Sequence, residues 1–160
     1  MKAQNRGFTL IELVIAIFIL VVAIVGVYNS FSTIVVLTTG ASSRLTAAYL
    51  AQEGIEIVRN MRDNNWLKGE VDWRNGLLGC LNGCEADYRT GTSTDVRSGL
   101  TAFSDNYLKI NKDIGTAKSG FYSYDSVGDY AITKFKRKIT ITPVGTDVLQ
   151  VFVLVTWEVK

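Results

Sequence analysis

The sequence contains no histidine. That removes the side chain most often used as a general base, and no nucleophile elbow, phosphate loop or zinc-protease helix takes its place. An enzyme is not expected, and no catalytic residue, metal site or cofactor is assigned. Repeats at solenoid periods are also missing. Charge is absent from one long stretch: between Glu12 and Arg44 lie thirty-one uncharged residues, Leu13 to Ser43. Excess charge is nearly absent from the remainder. The formal +2 comes from Lys2 and Arg6, and beyond them fifteen basic residues face fifteen acidic ones. No whole-molecule basic footprint for nucleic acid follows from that balance.

What is present begins with the uncharged run. It exceeds the roughly 20 residues a helix needs to cross a hydrocarbon core of about 30 Å. It is also too long for the core of a cleaved secretory signal, about 7 to 15 residues. Lys2 and Arg6 precede it and Arg44 follows, so the N-terminus is expected in the cytoplasm and the C-terminal part outside it. From Phe8 to about Leu37 the residues are apolar on every side, as in a helix surrounded by lipid or other helices. Gly26 and Asn29 are its weak points. Gly40, in TTGASS, costs about 1 kcal/mol relative to alanine within a helix, and marks either a hinge or a slim part of a continuing one.

The next segment, SRLTAAYLAQEGIEIVRNMRDNNW, has helical spacing and becomes amphipathic. Leu45, Ala48, Gln52, Ile55, Arg59 and Arg62 share one side, and Tyr49, Ile55, Val58 and Met61 form an adjoining apolar stripe. Glu56 and Arg59 add a modest charge contribution. Asp63 to Asn65 read as the helix exit, followed by loop from Leu67 to about Ala102. NYLKI, GFYSY, AITKFKRKITIT and VLQVFVLVTWEV then read as strands of an antiparallel meander. In the last of these, Leu149, Val151, Val153, Val155 and Trp157 line one face and need a cover. The amphipathic helix is the available one. The fold class expected is α+β, a long N-terminal helix packed on a small C-terminal antiparallel sheet, and the end at Lys160 leaves a further element open.

Glu12 is costly in such a context: an acid at a membrane helix centre costs about 2.5 to 3.5 kcal/mol, and less near an end. A snorkelling boundary residue is the plain explanation. A short polar leader ending in Gly7, then Phe8, Thr9, Leu10, Ile11, Glu12 and an unbroken apolar run, however, resembles the class III leader of type IV prepilins and pseudopilins. The resemblance covers about the first thirty residues. It implies cleavage by a prepilin peptidase between Gly7 and Phe8, N-methylation of Phe8, and pairing of Glu12 with the new amine of a neighbouring subunit. An apolar bundle disfavours either charge alone. The family's frequent mid-helix proline is absent, with Gly26 and Asn29 in that region.

The organisation expected is a leader at 1–7, a membrane-spanning or filament-core half at 8–43, an amphipathic half at 44–65, a variable loop region at 66–105 and a β-meander at 106–160. The resemblance implies a filament subunit; a minor pilin, a major pilin and a secretion pseudopilin share the leader, and minor pilin or pseudopilus subunit is the reading taken. Its partners are other pilin subunits, the prepilin peptidase and methyltransferase, and a pilus or secretion assembly machine. Its place is the cytoplasmic (inner) membrane and, after assembly, an extracellular filament. The alternative is a single-pass anchored domain that binds DNA or a surface polymer and never assembles.

Other residues invite separate readings. Cys80 and Cys84, in GCLNGCE, favour a disulfide outside the cytoplasm, with free thiols the alternative. Lys134, Lys136 and Lys138 alternate with Phe135, Arg137, Ile139 and Ile141, giving a basic stripe on one strand face. Such a stripe contacts phosphate non-specifically, or is a solvated face that discourages edge pairing. Asp125 and Asp129 in YDSVGDY suit a turn better than a calcium site of about 6 to 8 oxygen ligands. Phe121, Tyr122, Tyr124 and Tyr130 are candidates for an adhesive surface or half-buried sheet aromatics.

Overall fold

A computed structural model describes residues 7, 9–91 and 99–158. The chain divides into two compact units, Met1–Ser43 and Arg44–Lys160. Helix α1, Leu10–Leu67, contributes to both.

Thr9 caps the start of α1. Its hydroxyl accepts the Glu12 N–H at 3.4 Å, and its carbonyl accepts the Leu13 N–H at 3.2 Å. Thr9 and Glu12 thus occupy the first and last positions of a capping-box sequence. Helix assignment continues through Gly26, Asn29 and Gly40. The hydroxyls in this region turn back onto their own helix: Ser30 donates to the Gly26 carbonyl at 3.0 Å, Thr33 to Asn29 at 3.1 Å, Thr38 to Ile34 at 2.8 Å and Ser43 to Thr39 at 2.8 Å. Ser32 and Thr39 do the same. This back-bonding gives each of these hydroxyls an acceptor within its own helix. Within the first unit the large apolar side chains are exposed all round, and the helix is long and apolar enough to cross a membrane.

The second unit buries Val58 and Met61 of the expected helix stripe but not Tyr49 and Ile55. Ala47, Leu50, Gly54, Ile57, Val58 and Met61 are buried, whereas Tyr49 and Ile55 lie at the surface. The reason is Gly54. A Cβ there would meet Val153 Cγ1 at 3.0 Å and Arg137 Cδ at 3.3 Å, so the helix approaches the sheet on its glycine side. Ile55, the next residue around the helix, is carried outward. Glu56 and Arg59 pair on the exposed side at 2.8 Å.

The helix runs to Leu67, beyond the exit that Asp63 to Asn65 suggested, and ends in a Schellman arrangement. Glu70 N–H reaches the Asn65 carbonyl at 3.0 Å and Gly69 N–H the Trp66 carbonyl at 3.1 Å, with Gly69 at φ 69°. The Asn65 side chain donates instead to the carbonyls of Trp73 at 2.9 Å and Asn75 at 2.7 Å, folding the following loop back onto the helix end.

Among the described residues seven strands follow: β1 Cys84–Glu85, β2 Thr101–Ala102, β3 Lys109–Asn111, β4 Tyr122–Ser123, β5 Tyr130–Ile132, β6 Phe135–Val144 and β7 Val148–Trp157. They form two sheets, ordered β2-β1-β6-β7 and β4-β3-β5. The expected single meander is therefore corrected. AITKFKRKITIT is broken at Thr133, whose N–H and hydroxyl both donate to the Leu108 carbonyl, at 2.9 and 2.7 Å. The chain leaves the small sheet there and enters the large one. β1 and β2 come from the stretch expected to be loop, and β1 inserts beside β6.

The long hairpin behaves as the alternation requires. β6 and β7 pair from Phe135↔Trp157 to Val144↔Val148. Phe135, Ile139 and Ile141 point inward, and the inward row of β7 packs on the same core: Leu149, Val151 and Val153 against Ile57, Val58 and Met61, Val155 and Trp157 against Ala47 and Leu50. The helix is the cover that the last strand demanded.

Tyr124 lies in this core and donates its hydroxyl to the Arg137 carbonyl at 3.2 Å. Burial, partly offset by the Arg137 charge, pushes its pKa up to about 12. The folded state therefore holds this proton more tightly than the unfolded chain, whose tyrosines titrate near 10. The contribution is complete below about pH 10 and is lost as pH rises toward 12. Tyr124→Phe should give a flatter fall in stability across that window, measured by urea unfolding; an unchanged pH slope contradicts it.

Candidate functional site

The residues singled out in the sequence do not converge on one site. Gly7 is exposed, and a Cβ there would meet nothing within 4 Å. No demand of the chain's own packing explains a glycine at this position. Phe8, and with it the cleavage and methylation point, lies outside the described residues, as does the leader before Gly7. Glu12 is exposed in the first turn of α1, where a carboxylate is favoured by the helix dipole.

Cys80 and Cys84 form a disulfide, with Cα atoms 5.3 Å apart. They are not free in a loop. The Cys80 carbonyl accepts the Ile141 N–H at 3.2 Å, and Cys84 sits in β1 between Ala102 and Ile139. Gly83 between them has φ 100°, and a Cβ would overlap the Lys138 side chain. The short cross-link fixes the turn that brings β1 against β6.

Lys136 and Lys138 alternate with the buried residues of β6 and Lys134 directly precedes the strand, and each lies near an aromatic ring. Lys136 Nζ is 4.5 Å from the centre of the Tyr107 ring, Lys138 Nζ is 5.2 Å from that of Phe103 and Lys134 Nζ is 5.7 Å from that of Phe135. Lys136 also pairs with Asp105 at 2.5 Å, and that hydrogen bond raises its pKa. The stripe carries less available charge than the sequence implied.

The side chains the sequence reading undervalued are Arg137, Glu53, Glu85 and Asp87. Arg137 is fully buried. Its Nη1 donates to Glu53 Oε2 at 2.7 Å and to the Leu50 carbonyl at 2.9 Å, and its Nη2 to the Ala86 carbonyl at 2.6 Å. One guanidinium thus joins the helix, β6 and the segment after β1. The signal was visible: alternation placed Arg137 on the apolar face between Phe135 and Ile139. Glu85, also buried, accepts the N–H groups of Ser104 and Asn106, each at 3.1 Å. Asp87 accepts the Tyr124 N–H at 3.3 Å and pairs with Arg89, which also reaches Asp125 at 2.7 Å. Burial pushes the Asp125 carboxyl up, but backbone N–H groups and Arg89 outweigh it and hold it below its ordinary range. Asp125 is therefore committed to an arginine. Among the described residues no group of three or more metal-capable side chains occurs.

These interactions are architectural, and the informative region is the N-terminus. Residues 2–28 match the prokaryotic N-terminal methylation motif. That class III leader is consistent with a type IV pilin-like protein processed by prepilin peptidase, and with membrane anchoring through the apolar helix. No curated protein and no solved structure matches the chain.

Proposed function

We propose that the protein is a structural subunit, a minor pilin of a type IV pilus or a subunit of a secretion pseudopilus, with minor pilin the preferred reading. The observation that carries this is the methylation motif at residues 2–28, continuous with a helix half whose apolar side chains are exposed on every side. Cleavage after Gly7 gives Phe8 a new amine, which methylation leaves cationic. Glu12 then accepts that amine from a neighbouring subunit as the apolar helix halves bundle. The Cys80–Cys84 staple and the Arg137 tie keep the second unit folded outside the cytoplasm.

The test is mass spectrometry of filaments sheared from cells that express the chain. An N-terminal peptide beginning at methylated Phe8 is expected in the sheared fraction. In Gly7→Val cells the unprocessed chain should remain in the membrane. A protein found only in membranes, unprocessed in its native form, would falsify the assignment and favour the anchored binding domain.

A further inference from the structure

Strand β7 is the edge of the larger sheet. Its ten residues, VLQVFVLVTW, include no charge, proline or glycine. Those are the devices by which edge strands avoid pairing with other chains. The opposite edge, β2, is only two residues long. A long regular edge without such protection offers a row of main-chain donors and acceptors along its outer side, where no described strand pairs.

Beside this edge runs a groove of about 380 Å³ between β7 and α1. Val58, Trp73, Leu149 and Val151 give it apolar walls, and Arg59 and Arg62 stand on the helix side. Asp147 closes it at the hairpin end, leaving the lining net positive. Both arginines hold only exposed partners, Arg59 with Glu56 at 2.8 Å and Arg62 with Asp63 at 2.7 Å. Exposed pairs of this kind are weak, so an incoming carboxylate can exchange with them.

An edge strand next to a helix suits strand addition, in which an extended segment pairs through its main chain and drops alternate side chains into the groove. We infer that β7 and α1 form a docking groove for an extended, apolar segment of a partner protein that carries a carboxylate. The segment's main chain continues the sheet beyond β7. Every second side chain fills the apolar walls, and its carboxylate meets Arg59 and Arg62. This contact is separate from helix bundling and does not depend on filament assembly.

The probe is a phage-displayed library of random dodecapeptides, selected on the full chain in detergent micelles. Enriched peptides are expected to alternate apolar residues and to include Asp or Glu. A synthetic representative should slow amide hydrogen exchange in β7. The Arg59→Glu, Arg62→Glu double variant should weaken it at least tenfold, and a lysine in place of its acid should restore binding to that variant. The inference is overturned by an absence of enrichment, by protection outside β7, or by binding indifferent to the charge reversal. It is equally overturned if β7 is protected without peptide in a self-associated chain, because the occupant is then a second copy.

Discussion

Replacing Glu53 by alanine is expected to destabilise the second unit by about 2–4 kcal/mol. Arg137 has no exposure, and Glu53 pairs with it at 2.7 Å. Removing one partner of a fully buried pair costs about 3–5 kcal/mol; the Glu53 side chain is 32% exposed, so water relieves part of that loss. Arg137→Met, which removes the buried charge and keeps an apolar side chain of similar reach, should cost less than Glu53→Ala. Chemical denaturation of both variants decides it. A Glu53→Ala loss below about 1 kcal/mol, or a larger loss in Arg137→Met, would show that the pair does not hold helix and sheet together.

The second large effect concerns Glu12. Its position four residues after Phe8 suits a charge contact with the processed amine, but it also closes the capping-box sequence that begins at Thr9. The two roles separate by substitution. Glutamine serves at the end of a capping box as glutamate does, yet brings no charge to an apolar bundle. Glu12→Gln and Glu12→Ala should therefore insert into the membrane normally, and each should reduce incorporation into filaments by about tenfold or more, because uncompensated burial of the amine costs several kcal/mol. Immunoblots of sheared and membrane fractions read the ratio. Normal yield from Glu12→Gln with loss in Glu12→Ala would assign the residue to helix capping alone.

Much of the architecture was legible because it rests on periodicity. The long uncharged run, the amphipathic continuation and the alternating rows of β6 and β7 each follow from one repeated spacing, and the structure contains each. The details that escaped depend on contacts distant in sequence. Only Tyr49 and Ile55 of the expected helix stripe fall outside the buried one, because the close approach at Gly54 is set by Val153, on the last strand. β1 and β2 were invisible as strands since two residues cannot display a period, and Cys84 becomes a strand residue only beside Ile139. AITKFKRKITIT divides between two sheets because Thr133 finds the Leu108 carbonyl.

At the other end of the molecule, the candidate site was legible as a local motif. Gly7, Phe8 and Glu12 are recognised by their order along the chain, and the match at residues 2–28 rests on the same stretch. Arg137 shows the limit of that kind of reading. Its row was correctly assigned, but its partners lie on two other segments.

The back-bonded hydroxyls of Ser30, Ser32, Thr33, Thr38 and Thr39 bear on what the helix meets in succession. Since each already donates to a carbonyl one turn earlier, none must exchange a partner when the surroundings change from hydrocarbon tails to neighbouring side chains. The two environments differ little for this surface, and passage between them is close to a transfer between two oils. If the chain assembles as proposed, the free-energy difference between membrane and filament then concentrates at the charged end of the helix, and the Glu12 contact is the one that entry and withdrawal have to make or undo.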